Sequence, residues 1–408
     1  MDKPSRHWSI VNHPGNTSAI KHGEAAHPAI KLGLANRRRA LARQPWVSYA
    51  LVLLNVSVWL LTLVSGAGLM QAPADKMLVW GGNAASEVQR GDWWRLLTAV
   101  FLHSGLMHLA MNMAALLCTG PTVERVYGSR RFLLLYLGAG LAGSALSLHF
   151  SAQQGTAVGA SGAVFGVAGA LLVAALRHRR FLPTMLSFFT LGGIGLLLLD
   201  AMLRGFDSER VDNAAHVGGF LVGCLLAVIL PERISGRHDA QQARWRTIAA
   251  TAAALVITAV VALTAPPAKV DVRNAFEAGA SMERALREFD MVMVRMALEE
   301  KAANAGRISQ PVRATRQRLV HAPAFGKIGA DLATVRLQPG DSRNGVLKDL
   351  QRMVALMEEL AIMPAAFSKG NARVEPVDPA RQAAILVDVR QLRKRILDWQ
   401  RAHAAPKP

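Results

Sequence analysis

The sequence predicts an all-α polytopic membrane protein with a soluble helical domain at its C-terminal end. Three observations predict this. Up to about residue 266, long apolar runs alternate with short basic loops. Beyond residue 270, polar and apolar residues mix at helical spacing and no long apolar run remains. The arginines gather in alternate loops, the pattern by which membrane topology is written.

A bilayer core about 30 Å thick needs roughly 20 apolar residues of helix, and seven segments qualify. The first runs from Trp46 to Leu69, the second from Leu96 to Cys118, the third from Phe132 to Phe150 and the fourth from Ala157 to Leu176. The fifth runs from Leu182 to Leu203, the sixth from Ala214 to Leu230, and the seventh from Ile248 to Leu263, where Pro266 and Pro267 stop it. The third, fourth and sixth are short or glycine-rich, which suits helices that approach closely inside a bundle. The residues before Trp46 are polar and basic, and the first apolar run is long enough to span, so no cleavable signal peptide is expected.

Orientation follows from the basic residues. The N-terminal tail holds Arg37, Arg38, Arg39 and Arg43, and the loop after the second span holds Arg125, Arg130 and Arg131. Arg177, Arg179 and Arg180 follow the fourth span, and Arg233, Arg237, Arg244 and Arg246 follow the sixth. The other loops are uncharged, balanced or acidic. The N-terminus is therefore expected in the cytoplasm, and seven crossings put the C-terminal region outside. In a bacterium that is a protein of the inner (plasma) membrane with a periplasmic or extracellular C-terminal domain. The divisions expected are a basic tail over 1–44, a six-helix core over 45–232, a linker and seventh helix over 233–267, and a helical domain over 268–408.

In that last domain Leu286, Phe289, Met293 and Met296 form one apolar stripe. Val346, Leu350, Met353, Met357 and Leu360 form another, capped by Ser342, and Ile385, Val389, Leu392, Ile396 and Trp399 form a third. Asp378 before Pro379 reads as the start of the last helix. Stripes at this spacing are expected to pack together as a small bundle, and a partner groove is the alternative. The formal net charge of +19 would suit a nucleic-acid partner, but the charges follow the loops and no nucleic-acid motif accompanies them, so none is expected. Cys118 and Cys224 fall within apolar segments, so no disulfide framework is implied.

Polar and ionisable residues inside membrane helices are costly and mark function by default. Ser161 lies in a Gly159-Ala-Ser-Gly162-Ala-Val-Phe165-Gly run at the outer end of the fourth span. A serine among small residues can be simple packing, and its glycines admit either a substrate or a neighbouring helix. His216 lies near the outer end of the sixth span, with Gly219 and Gly223 on the same face below it. It could be a proton relay, a buried hydrogen-bond partner, or a base for a serine brought to the same depth. His103, His108 and Asn112 fall on the second span. His108 and Asn112, four apart, share a face and could act as oxyanion donors, as a helix–helix hydrogen-bond cluster, or as part of a metal site. No carboxylate or thiol completes a recognised metal pattern, so neither a metal nor another cofactor is expected. Asp200, near the outer end of the fifth span, reads as interfacial or as a gate.

Taken in order, Trp94-Arg95, His103, His108-x-x-x-Asn112, Gly-Ala-Ser161-Gly and Ala-His216-x-x-Gly219-x-x-x-Gly223 resemble the rhomboid intramembrane serine proteases over residues 45–232. Glu124 with Gly128-Ser129 is similar to a loop of that family, and the seventh helix to its six-plus-one architecture. The resemblance implies that Ser161 is the nucleophile and His216 the base, a dyad without a carboxylate. It implies an oxyanion hole from His108, Asn112 and the Ser161 N–H, with Trp94 and Arg95 anchoring the first external loop and His103 supporting it. Rhomboids often carry Tyr four residues after the nucleophile, where this chain has Phe165, whose ring can still stack on His216.

The function implied is a serine endopeptidase cutting single-pass transmembrane substrates near the outer membrane face, after a small side chain. A substrate helix must unwind locally first, because its carbonyls are otherwise hydrogen-bonded. The partners expected are transmembrane substrates and the lipid bilayer, with the C-terminal domain recruiting substrate or regulating access. Two rivals remain: a non-catalytic rhomboid relative that binds membrane clients, and a transporter using the intramembrane histidines as a proton path. The internal repeats typical of transporters are not seen in the sequence.

Overall fold

The computed structural model describes residues 42–153, 155–178, 212–234, 239–363, 365–367, 374–376 and 378–403. The fifth expected span, with Asp200, lies outside the described residues, as do Arg37, Arg38, Arg39, Arg179, Arg180 and Arg237.

The membrane part begins with α1, Trp46–Val64. Short helices follow in a long loop: α2, Ala74–Val79, α3, Ala85–Gln89, and α4, Arg95–Thr98, which runs into a 3-10 turn at Ala99–Phe101. The long helices then resume with α5, Leu106–Tyr127, α6, Ser129–Ser147, α7, Ser161–Arg177, α8, Asn213–Ile229, and α9, Ala240–Leu263. By length and composition α1, α5 and α9 can each cross a membrane, and α7 and α8 are shorter apolar helices. This is an integral membrane protein built of helices.

These helices are patterned for lipid outside and protein inside. On α1 the buried residues are Ser48, Leu51, Asn55, Trp59 and Thr62, while Leu53, Leu54, Leu60, Leu61 and Val64 are exposed. The polar residues thus face the protein, where Asn55 donates to the Leu51 carbonyl at 2.7 Å, and the large apolar ones face outward. On α8 the exposed face is Val217, Leu221, Leu225 and Val228, and the buried face carries the glycines. On α9 the buried seam is Ala250, Ala254, Thr258 and Ala262, small residues that let it lie against α6.

The second span is corrected by the structure. It was expected from Leu96 to Cys118, but the helix runs from Leu106 to Tyr127. The apolar stretch before it belongs to α4 and the 3-10 turn, and Leu96, Ala99, Val100 and Leu102 are buried against the bundle. His103 therefore precedes the helix, in the loop, and does not lie on it. Glu124 lies inside its last turn, not after it.

The C-terminal part is α10, Val272–Asn304, α11, Gln310–Arg316, a π turn at Gln317–His321, α12, Ala322–Thr334, α13, Asn344–Ile362, and α14, Pro379–His403. Between the last two, strands Ala365–Phe367 and Val374–Pro376 pair antiparallel, with Ala366 opposite Glu375. The three apolar stripes meet in one buried cluster around Phe289, Leu350, Met353, Met357, Ile385, Val389, Leu392 and Ile396. Asp378 caps α14 by accepting from the Arg381 N–H at 2.8 Å. Ser342 does not cap α13. Its N-cap position is Arg343, whose own N–H goes to the Asp341 carboxylate at 2.9 Å.

Candidate active site at the crossing of two helices

Ser161 is the first residue of α7 and His216 lies in the first turn of α8. The distance between Ser161 Oγ and His216 Nε2 is 2.8 Å, within hydrogen-bond range. Glycines make that distance attainable. A Cβ built on Gly219 would stand 2.0 Å from the Gly162 carbonyl oxygen, and one on Gly223 2.2 Å from that of Gly166. No side chain larger than hydrogen fits at either place, so α7 and α8 cross backbone to backbone just below the pair. A Cβ on Gly162 itself would meet the Ala215 carbonyl oxygen at 3.1 Å. The start of α8 is fixed by Asp212, which accepts from the Ala215 N–H at 3.0 Å, from Ser151 at 3.1 Å and from Ser147.

Phe165, one turn below Ser161, stacks on the His216 ring with centroids 4.4 Å apart and planes 13° from parallel. The missing tyrosine hydroxyl therefore leaves the ring contact intact. His216 is 7% exposed, and its Nδ1 has no hydrogen-bond partner among the described residues.

On the other side of Ser161, Gly159 takes φ +140, and a Cβ there would lie 2.8 Å from His108 Nε2, 2.9 Å from its Cε1 and 3.6 Å from Ser161 Oγ. Glycine thus leaves open a small space bordered by the serine oxygen and a histidine nitrogen. The Ser104 hydroxyl lies 3.0 Å from His108 Nδ1. With that hydroxyl donating, the ring proton falls on Nε2, which faces the space. The His103 ring is fully buried and meets His108 edge-on at 5.1 Å. Asn112 is buried on the His108 face, and one of its amide hydrogens goes to the His108 carbonyl at 2.9 Å.

The remaining expected residues lie at the ends of the bundle. The Arg95 guanidinium is buried in the long loop, donating to the carbonyls of Leu78 at 2.6 Å and Gly82 at 3.2 Å and to Asp92 at 2.9 Å. It also lies 4.6 Å over the Trp94 ring. The bond to Arg95 draws the half-buried Asp92 carboxyl below its ordinary value. At the opposite end Glu124 accepts from the N–H groups of Val47 at 3.1 Å and Ser48 at 2.8 Å, and from the hydroxyls of Ser48 and Ser129. It caps the start of α1 and pins it to the α5–α6 corner.

Two parts of the site escaped the sequence reading. One is Asp212, although an Asp three residues before a backbone N–H it can cap is a legible signal. The second is Asn83, whose N–H and C=O pair with Ala157 at 2.9 and 2.7 Å. Its side chain donates to the Ser144 carbonyl at 2.8 Å. This bridge ties the long loop to the segment leading into Ser161, and nothing local in the sequence marks it.

Fold and site together describe a helical integral membrane protein with a serine and a histidine in hydrogen-bond contact where two of its helices cross. Residues 90–233 match the family model described as the rhomboid domain. Rhomboid protease GluP of Bacillus subtilis (strain 168) is 38% identical over 188 residues, 46% of this chain and 35% of that protein. The rhomboid-type protein YdcA of the same organism is 30% identical over 177 residues, 41% of this chain and 83% of that protein. Rhomboid protease AarA of Providencia stuartii is 28% identical over 208 residues, 45% of this chain and 71% of that protein. The chain belongs to the rhomboid family of intramembrane proteases. The chain spans about a third of GluP's length.

Proposed function

We propose that this protein is an intramembrane serine endopeptidase working through a dyad of Ser161 and His216. The observation that carries the reading is the 2.8 Å contact between Ser161 Oγ and His216 Nε2. His216 takes the Ser161 proton, and the oxygen attacks a substrate carbonyl. His216 then returns the proton to the leaving amine, and water releases the acyl group by the same route in reverse. The space beside Gly159 receives the oxyanion, with His108 Nε2, the second amide hydrogen of Asn112 and the Ser161 N–H as donors.

The substrates on this reading are single-pass transmembrane helices cut near the outer face. Arg43, Arg125 and Arg233 gather around one pocket with Glu124. That supports a cytoplasmic face there and a cytoplasmic N-terminus. Residues 266–273 touch the loop before α5, which supports an extracytoplasmic C-terminal domain from residue 268, on the face where Ser161 opens. The setting on this reading is a bacterial inner membrane.

The test is cleavage of a single-pass substrate in liposomes by wild type, Ser161→Ala and His216→Ala, with fluorophosphonate labelling of Ser161. Cleavage and labelling by wild type, both lost in the two variants, are expected. A folded wild type that neither cleaves nor labels would move the weight to a client-binding protein.

A further inference from the structure

The long loop before α5 is joined to the start of the C-terminal part by a buried carboxylate. Glu87, on α3, is fully buried, and a carboxylate there must be matched by cations. Two come from its own loop: Arg90 bonds Oε1, and Arg95 lies 3.9 Å from Oε2. The third comes from 186 residues away, where Arg273, in the first turn of α10, donates to Oε2 at 2.5 Å. Around this contact Arg90 donates to Asp271 at 2.8 Å, the Val272 N–H to Ser86 at 3.3 Å, and Gln89 to the Pro266 carbonyl at 2.7 Å. Val272 is 2% exposed and packs with Leu78 and Ala84.

What α3 holds is the approach to the nucleophile. Ala84 precedes α3, and Asn83 before it makes the bridge to Ala157. A Cβ on Gly82 would collide with Thr156 at 2.3 Å and meet Val158 at 3.1 Å, so the loop lies flush on the segment that leads into Gly159 and Ser161. The two backbone hydrogen bonds of Asn83 end on Ala157, two residues before Gly159. Arg273 is outside the matched rhomboid domain, and it supplies the closest cation to Glu87 Oε2.

Resting on the reading of Ser161 and His216 as a dyad, we propose that Arg273 is a positioning residue of the active site: by bonding buried Glu87 it holds α3, and through the Asn83–Ala157 bridge it sets the backbone around Gly159 and Ser161. The C-terminal part thereby ties down a loop whose own Arg90 and Arg95 already match the charges of Glu87 and Asp92.

The experiment compares wild type, Arg273→Ala, Arg273→Lys and the pair Glu87→Gln with Arg273→Ala, all as full-length protein, with Ser161→Ala as blank. Arg273→Ala is expected to slow fluorophosphonate labelling of Ser161 and lower kcat on the order of tenfold, with KM little changed. Arg273→Lys restores most of the rate, and adding Glu87→Gln restores part of it, because a neutral amide suffers less than a buried carboxylate from the lost bond. Hydrogen–deuterium exchange, which needs no activity, is expected to rise in 83–88 and 157–161 in Arg273→Ala alone. Wild-type exchange there, or a labelling rate unchanged in Arg273→Ala, overturns the proposal. Wild type that fails to label would instead sink the dyad reading, and the exchange result would still decide whether Arg273 holds the bridge.

Discussion

Replacing Gly219 by alanine tests the helix crossing with one methyl group. The added Cβ would stand 2.0 Å from the Gly162 oxygen and 2.7 Å from its carbonyl carbon, where protein Cβ atoms do not come within 3.0 Å. The obstacle is backbone, so no side chain can swing aside, and α7 and α8 must separate by at least ~1 Å. Gly162 follows Ser161, and Gly219 is one turn below His216, so the separation falls on the pair itself. Directed along the 2.8 Å contact, it opens Ser161 and His216 to roughly 3.8 Å, beyond hydrogen-bond reach. General-base assistance contributes about 10²–10⁴-fold, and a misplacement of this size costs about 10²-fold. Gly219→Ala is therefore expected to cut substrate cleavage and Ser161 labelling by about a hundredfold or more. Its stability falls by only about 1–3 kcal/mol. Gly155→Ala is the control, because a Cβ there meets nothing within 4 Å. A Gly219→Ala protein that cleaves at the wild-type rate would refute the argument that glycine packing sets the distance.

Phe165→Ala removes the ring stacked on His216 and is expected to lower cleavage by about tenfold, the upper range of an aromatic contact, while Phe165→Tyr stays near wild type; kcat in liposomes decides. Glu124→Ala orphans the Val47 and Ser48 N–H groups and is expected to cost about 2 kcal/mol of stability, read as a lower midpoint of thermal unfolding in detergent. Asp271 is subject to opposing influences: burial pushes its carboxyl up, but the bonds from Arg90 and the Asn274 N–H and the charge of Arg273 outweigh it, so its value is lowered. A depressed carboxyl contributes stability above its unfolded value, near 4, and loses it as the pH falls below that. The Tm gap between wild type and Asp271→Asn is thus expected to hold from pH 8 to 5 and to close below about pH 4.

Most of the membrane architecture was legible because lipid enforces it. The seams of α1, α8 and α9 follow from residue type alone, and the Ser161, His216, Gly219 and Gly223 set sits together because glycine at that spacing serves little else than close approach. The second helix was placed ten residues early for a physical reason. Leu96 to Leu102 is as apolar as a span, but it is buried against protein and broken by the polar His103-Ser104-Gly105 turn, which hydropathy averages away. Ser342 misled because serine caps are common, whereas here Asp341 reaches the Arg343 N–H. The Glu87–Arg273 and Asn83–Ala157 contacts were not legible at all. They join residues far apart in the chain, and neither leaves a periodic trace.

The same contacts bear on how a histidine can be oriented without an acid behind it. In a triad the carboxylate fixes the ring by accepting from Nδ1. The nearest candidate in sequence, Asp212, is spent elsewhere: Oδ1 takes the Ala215 N–H and the Ser151 hydroxyl, and Oδ2 takes Ser147. Its task is to start α8, not to hold the ring. Among the described residues, orientation is left to the flat face of Phe165 on one side and the Ser161 hydroxyl at Nε2. Stacking fixes the ring plane but supplies no charge to stabilise an imidazolium. The dyad as proposed then relies more on the oxyanion side for its rate than a triad does. Residues that shape the Gly159 space, Arg273 among them by way of α3 on the proposal above, then tune the rate that the ring makes possible.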